Sequence, residues 1–183
     1  EDEGGACEVH ACDATDGAAV EAFIGRVHAD HGAIDILVNN VGQSEPGGPV
    51  DMTEEVWAAQ FQLNATTAFL ACKHVIPVMI AQGGGAIVNT SSTSGLRYTG
   101  APQVGYAATK AAVIQFSRVT AVQYAKHKIR VNTVVPGQMH TPMVEVRLAK
   151  QRAGGDVEAL VKQRLSRIPM GFAGDGRDTA NAV

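Results

Sequence analysis

Residues Ala86 to Lys110 read AIVNTSSTSGLRYTGAPQVGYAATK, and the fold turns on this stretch. Ala86-Ile87-Val88-Asn89 has the look of a short, largely apolar strand, introduced by the helix-ending glycines Gly83, Gly84 and Gly85. A loop rich in Ser, Thr and Gly follows, and a helical pattern begins near Val104. Tyr106 and Lys110 are four apart on that helix, so their side chains share one face. Ser92 falls at the strand's end, where open α/β sheets place their ligands.

These three residues suit the movement of a proton on and off a carbonyl or alcohol oxygen. A free tyrosine titrates near pH 10, too high for a good base at neutrality, and a lysine cation one turn away favours the phenolate. A serine hydroxyl beside them can hold the reacting oxygen against the phenol. Taken alone, Tyr-x-x-x-Lys is common by chance, and a Tyr and a Lys on a helix surface would read the same.

The surroundings decide between the two. Ser92, the run Tyr106-Ala107-Ala108-Thr109-Lys110, Asn39-Asn40-Val41-Gly42 upstream and Pro136-Gly137 downstream resemble the short-chain dehydrogenase/reductase family, classical type. The resemblance implies hydride transfer between NAD or NADP and a small-molecule carbonyl or secondary alcohol. Tyr106 would be the general acid/base, Lys110 its activator and a ribose ligand, and Ser92 the clamp on the substrate oxygen. In Phe61-Gln62-Leu63-Asn64 it makes Asn64 the residue that bends its helix and holds a proton-relay water. A mid-helix Asn is in any case not a preferred residue.

The cofactor contacts it implies are Asp13 and Ala14, Asn40, Val41 and Gly42, Tyr106 and Lys110, then Pro136, Gly137, Met139 and Thr141. Asp13 ends the apparent strand Cys7–Cys12 and would contact adenine, although a capping or turn Asp fits equally. Val41 departs from the family's usual Ala. Residues 138–170 correspond to a substrate lid, whose apolar Met139, Met143, Val144, Val146 and Leu148 hint at a partly hydrophobic substrate; a stripe packing on the body would look the same. The helices carrying Asn64 and Tyr106 would pair across a homodimer or homotetramer interface when the protein is complete.

The rest of the chain fits one α/β domain over residues 1–183 with helices on both faces of a parallel sheet. Asp16 to His31 is a helix with the stripe Val20, Phe23, Ile24 and Val27, closed by Gly32. Ile34–Asn39 and Ile129–Val135 read as buried strands. Thr53 caps a long helix to Gln82, in which Pro77 is expected to cause a kink or break. A last helix begins at Asp175.

At 183 residues and 45% hydrophobic the chain holds one real core. A net charge of -3 with 18% charged residues argues against a nucleic-acid surface or a polybasic membrane anchor. No apolar run of about 18 residues points to a membrane span. Cys7, Cys12 and Cys72 form an unpatterned set, read as reduced thiols in a cytoplasmic protein. His28 and His31 are three apart but lack a third ligand at metal spacing, so no metal is expected.

No Gly-x-x-x-Gly-x-Gly or Gly-x-Gly-x-x-Gly turn occurs. The expected fold class is therefore a partial doubly wound parallel sheet, Rossmann-like, missing its first two strands and its last one. In that order the Cys7 strand is separated from the Ile36 strand and a central edge is bared. A fragment of this kind is expected to bind dinucleotide weakly. One rival reading is a non-catalytic dimerising or regulatory member of the same fold; a second is a related enzyme that shares Tyr-x-x-x-Lys and epimerises or dehydrates a nucleotide-sugar.

Overall fold

The computed structural model describes residues 5–144, 154 and 156–183. The first helix, α1, spans Gly17–His31. The Asp16 carboxylate accepts the Ala18 N–H at 2.9 Å to open it, and Gly32 closes it with a φ of 77°, a left-handed conformation that costs least without a Cβ.

Three parallel strands follow: β1 at Ile36–Asn39, β2 at Gly85–Thr90 and β3 at Ile129–Val134, ordered β1-β2-β3. Leu37, Ile87 and Val131 lie in one row across the sheet. Successive strand residues point to opposite faces, and this row faces the helices. Val20 and Ile24 of α1 pack there with Val75, Ile76 and Met79, and with Ile129 beside them. On the alternate positions Ile36 and Val38 remain 64% and 45% exposed, so β1 is both an edge strand and partly bare.

Between β1 and β2 the chain forms α2, Glu54–Phe61, a π turn over Gln62–Thr66, and α3, Thr67–Gln82. Thr53 Oγ1 accepts the Val56 N–H at 3.3 Å, and Glu54 and Glu55 sit in the positive first turn. An 18-residue window of Glu54–Gln82 reaches a mean hydropathy of 1.3, enough by length and composition to cross a membrane. The segment is interrupted by Gln62, Asn64, Lys73 and His74, so it is not a continuous apolar run. Its apolar side is spent in the core, where Val75 and Met79 are fully buried.

Helix α4, Val104–Tyr124, connects β2 to β3 and runs into a 3-10 turn at Ala125–His127. Beyond β3 come α5, Val157–Leu165, opened by Asp156, and the short α6, Gly176–Ala180, opened by a reciprocal Asp175/Asp178 capping box. Of the apolar residues assigned to a lid, Val146 and Leu148 lie outside the described residues.

Two sequence expectations are corrected. Cys7–Cys12 is not a strand: residues 5–12 are irregular and exposed. A strand needs a neighbour for its N–H and C=O groups, and among the described residues none lies beside this segment. Pro77 does not break its helix but sits on the exposed side of α3, where the lost N–H falls toward solvent. The irregularity in this long helical segment comes instead at the π turn.

Candidate active site

The carboxyl ends of β1 and β2, the π turn and the first turns of α4 meet in one place. Lys110 is the centre of it. Its side chain is only 3% exposed, and Nζ donates to the Thr90 main-chain oxygen at 2.8 Å. Burial away from water pulls its pKa down to about 8. Nζ lies 5.7 Å from the centre of the Tyr106 ring, as their four-residue spacing requires.

Gly42, at the end of the β1 loop, packs directly on this group. A Cβ placed there would lie 3.1 Å from Lys110 Nζ and 2.9 Å from Asn64 Oδ1. Asn64 and Lys110, from two separate elements, thus both close on Gly42. A π turn shifts the helical hydrogen-bond ladder by one residue, and Asn64, in the middle of this one, is buried. Its Nδ2 donates to the Gln43 oxygen at 2.9 Å and to the Gln60 oxygen at 3.0 Å, while Oδ1 accepts the Gln43 N–H at 2.8 Å. The side chain clamps the β1 loop onto the helix.

Ser92 follows β2 in extended conformation and its Oγ accepts the Ser94 N–H at 3.2 Å, shaping a 3-10 turn at Thr93–Gly95. Gly95 brings this turn onto α4 so closely that a Cβ would sit 2.6 Å from the Lys110 carbonyl carbon. Ser91 Oγ also donates to the Lys110 main-chain oxygen, at 2.8 Å. Pro136 joins the same loop, its oxygen accepting the Thr93 N–H at 3.0 Å, and the Cβ position of Gly137 is 3.8 Å from the Thr93 methyl.

Asp13 is exposed and held in a local turn: Oδ1 accepts from Thr15 Oγ1 at 2.7 Å and from Thr15 N at 2.9 Å. These two bonds, the hydroxyl's first, keep its carboxyl below the usual range. Gln62 Nε2 donates to Thr15 O at 2.8 Å and ties that turn to the π turn. Ala14, Asn40 and Val41 line a cavity of about 260 Å³ together with Asn64 and Thr90. Met139 and His140 instead lean on Gly174, the latter's N–H donating to Gly174 O at 2.7 Å. Thr141 O caps the turn to Val144 at 2.9 Å.

Several participants escaped the sequence reading. Gln43 and Gln60 hold Asn64, and Gly95 and Ser91 hold the backbone of Lys110. Behind the site, Asn39 Nδ2 donates to Asn89 Oδ1, and Asn89 Nδ2 to Ser117 Oγ, both at 2.8 Å. Only the glycine in a serine-rich turn carried a signal that could have drawn attention.

The residues present fit a dinucleotide. Gly42 leaves a cradle that any side chain would fill, and Lys110 directs one donor inward to Thr90 O, leaving two N–H groups for a ligand. The cavity runs along the outer edge of β1, beside α1 and α3, and reaches the carboxyl ends of β1 and β2 at Asn40 and Thr90, the end at which open α/β sheets bind ligands.

Comparison with known proteins agrees. A sequence profile described as short chain dehydrogenase matches residues 1–152. The chain is 37% identical over 172 residues to 2-keto-3-deoxy-L-fuconate dehydrogenase of Xanthomonas campestris, covering 93% of this chain and 55% of that protein. It is 36% identical over 179 residues to 3-oxoacyl-[acyl-carrier-protein] reductase of Thermotoga maritima, covering 98% and 69%. A crystal structure assigned to the short-chain dehydrogenases/reductases, from Burkholderia xenovorans, superposes with a TM-score of 0.94 at 60% identity, covering 98% of this chain and 67% of that one. Aldohexose dehydrogenase from Thermoplasma acidophilum gives 0.88 at 30% identity, covering 100% and 72%. The chain spans a little over half the length of the first of these relatives. With a three-stranded parallel sheet flanked by helices and the Tyr106–Lys110 pair at its strand ends, it belongs to the short-chain dehydrogenase/reductase family.

Proposed function

We propose that the protein carrying this chain is an NAD- or NADP-dependent oxidoreductase acting on a carbonyl or secondary alcohol, with Tyr106 as general acid/base. The observation that carries the reading is the buried Lys110 cation held beside the Tyr106 ring by Thr90 O. A lysine cation there favours the phenolate, so the phenol gives up or takes back a proton near neutrality. Lys110 keeps two donors for a ribose, and Ser92 Oγ supports the substrate oxygen from the β2 loop. Gly42, Asn40 and Val41 provide backbone against the dinucleotide, with Asp13 and Ala14 at the adenine end and Pro136, Gly137, Met139 and Thr141 at the nicotinamide end. When bound, the nicotinamide supplies or accepts the hydride.

Asn64 holds the β1 loop against Lys110 and lies where a water relay to the lysine would pass. We assign residues 138–170 the role of substrate lid; among the described residues of that stretch, Arg164 Nη2 donates to Met139 O at 3.1 Å and Arg167 Nη1 to Thr99 O at 3.0 Å, tying the end of α5 and the turn after it to both strand-end loops. Exposed Phe69, Val119 and Val122 on α3 and α4 support pairing of two copies through these helices.

The names of the relatives speak of a sugar acid and an acyl thioester, and both classes of carbonyl substrate suit the same chemistry. Tyr106→Phe in the complete protein tests the assignment. Turnover should fall by about 10²–10⁴-fold while dinucleotide affinity is kept. Turnover close to the parent level rejects it.

A further inference from the structure

Gln60 is the one long polar side chain of α2 that is removed from water, at 2% exposure. It touches three parts of the site at once. Its Oε1 accepts the Glu45 N–H at 3.2 Å, from the loop that follows Gly42. The same oxygen faces Asn64 Nδ2 at 3.4 Å, and its main-chain oxygen accepts that amide at 3.0 Å. Its Cγ and Cβ pack on Gly105, where an added Cβ would meet them at 3.2 and 3.3 Å. Gly105 immediately precedes Tyr106 on α4.

From this arrangement we infer that Gln60 is a positioning residue: its amide oxygen fixes the Asn64 carboxamide and the Glu45 loop while its stem seats the turn of α4 that carries Tyr106. The inference rests on the hydride-transfer reading above. A hydrocarbon of the same volume would fill the space but leave the Glu45 N–H without its acceptor and loosen the Asn64 amide. Asn64 Oδ1 and Lys110 Nζ crowd the same face of Gly42, so a turned Asn64 amide would disturb the lysine and the β1 loop together. A misplacement of that kind lowers the rate of the reacting complex more than the affinity for its substrates.

The test compares Gln60→Met, which keeps volume and loses the acceptor, with Gln60→Glu, which keeps an acceptor oxygen, in the complete gene product. Q60M should lower kcat about tenfold or more with KM within about twofold, while Q60E stays within about twofold in kcat. In ¹⁵N-labelled protein the Asn64 side-chain amide protons should exchange faster in Q60M and unchanged in Q60E. Unchanged kcat and exchange in Q60M, or equal losses in both variants, overturns the role. If Q60M does not fold, faster Asn64 exchange in Q60E overturns it instead. Y106F is measured in parallel: an active Y106F sinks the reaction assignment, whereas the Asn64 exchange still judges Gln60 by itself.

Discussion

Gly42 and Lys110 are packed so closely that a methyl group on the glycine would stand 3.1 Å from the lysine Nζ and 2.9 Å from Asn64 Oδ1. Gly42→Ala therefore overpacks the site. We expect a stability loss of about 1–3 kcal/mol and weaker dinucleotide binding, measured by denaturant unfolding and by titration with the cofactor. Parent-like values in both would show that Lys110 moves aside at no cost.

Gly95 is under stricter constraint, because its neighbours are main-chain atoms: a Cβ would meet the Lys110 carbonyl carbon at 2.6 Å and the Ala111 nitrogen at 2.7 Å. Backbone cannot rotate away as a lysine can. Gly95→Ala should cost more than Gly42→Ala, at or above the upper end of the ~1–3 kcal/mol typical of overpacking, and should displace Ser92. Comparison of the two unfolding midpoints checks the order.

Lys110 makes stability depend on pH. Burial lowers its pKa from the ordinary 10.5 to about 8 in the folded protein, so the unfolded chain binds more protons between those values. The stability contribution is complete above the unfolded pKa and is lost as pH falls through the folded one. Unfolding free energy should rise from pH 8 toward pH 10.5, by up to about 3 kcal/mol from this group. Lys110→Met should flatten that rise; an equal slope in the variant would assign it elsewhere.

The thiols divide sharply. Cys72 is 1% exposed and burial pushes its pKa up to about 12, against a weak opposing bond from Asn39 Nδ2 at 3.7 Å. Cys7 and Cys12 are exposed. Mass spectrometry after native alkylation should find label on Cys7 and Cys12 and none on Cys72 until the protein is unfolded.

The buried chain Asn39–Asn89–Ser117 ties β1 and β2 to α4. Ser117→Ala removes the acceptor for Asn89 Nδ2 inside the core, and an unmet buried donor costs about 1–3 kcal/mol. Thermal unfolding should register that loss, and a change within ±0.5 kcal/mol would mean that another group takes the bond.

The sequence made most of this architecture legible, for reasons that can be named. Ile36–Asn39, Gly85–Thr90 and Ile129–Val134 are short apolar runs between turn signals, and α1 carries both of its caps in Asp16 and Gly32. Cys7–Cys12 showed the same strand pattern, but pattern does not supply a pairing partner. Tyr106 and Lys110 were readable because their link is local. The bonds from Asn64 to Gln43 and from Glu45 to Gln60 span 21 and 15 residues, and hydropathy assigns such polar residues to the surface. Lys110 was expected to be a cation, yet its near-complete burial follows only from the approach of Gly42 and Gly95.

The π turn over Gln62–Thr66 amounts to one surplus residue spliced into an otherwise continuous 29-residue helix. One residue turns an α-helix by about 100°. Removing any one of these five would let the helix close into regular geometry without a gap, and the segment would fold as helix more easily than before. Because the widened turn itself takes up that angle, α3 would keep its phase relative to α2, and Val75 and Met79 would stay in register with the sheet. What the deletion would remove is the wide turn from which Asn64 reaches Gln43 and Gln60, so the surplus residue serves the site and not the core.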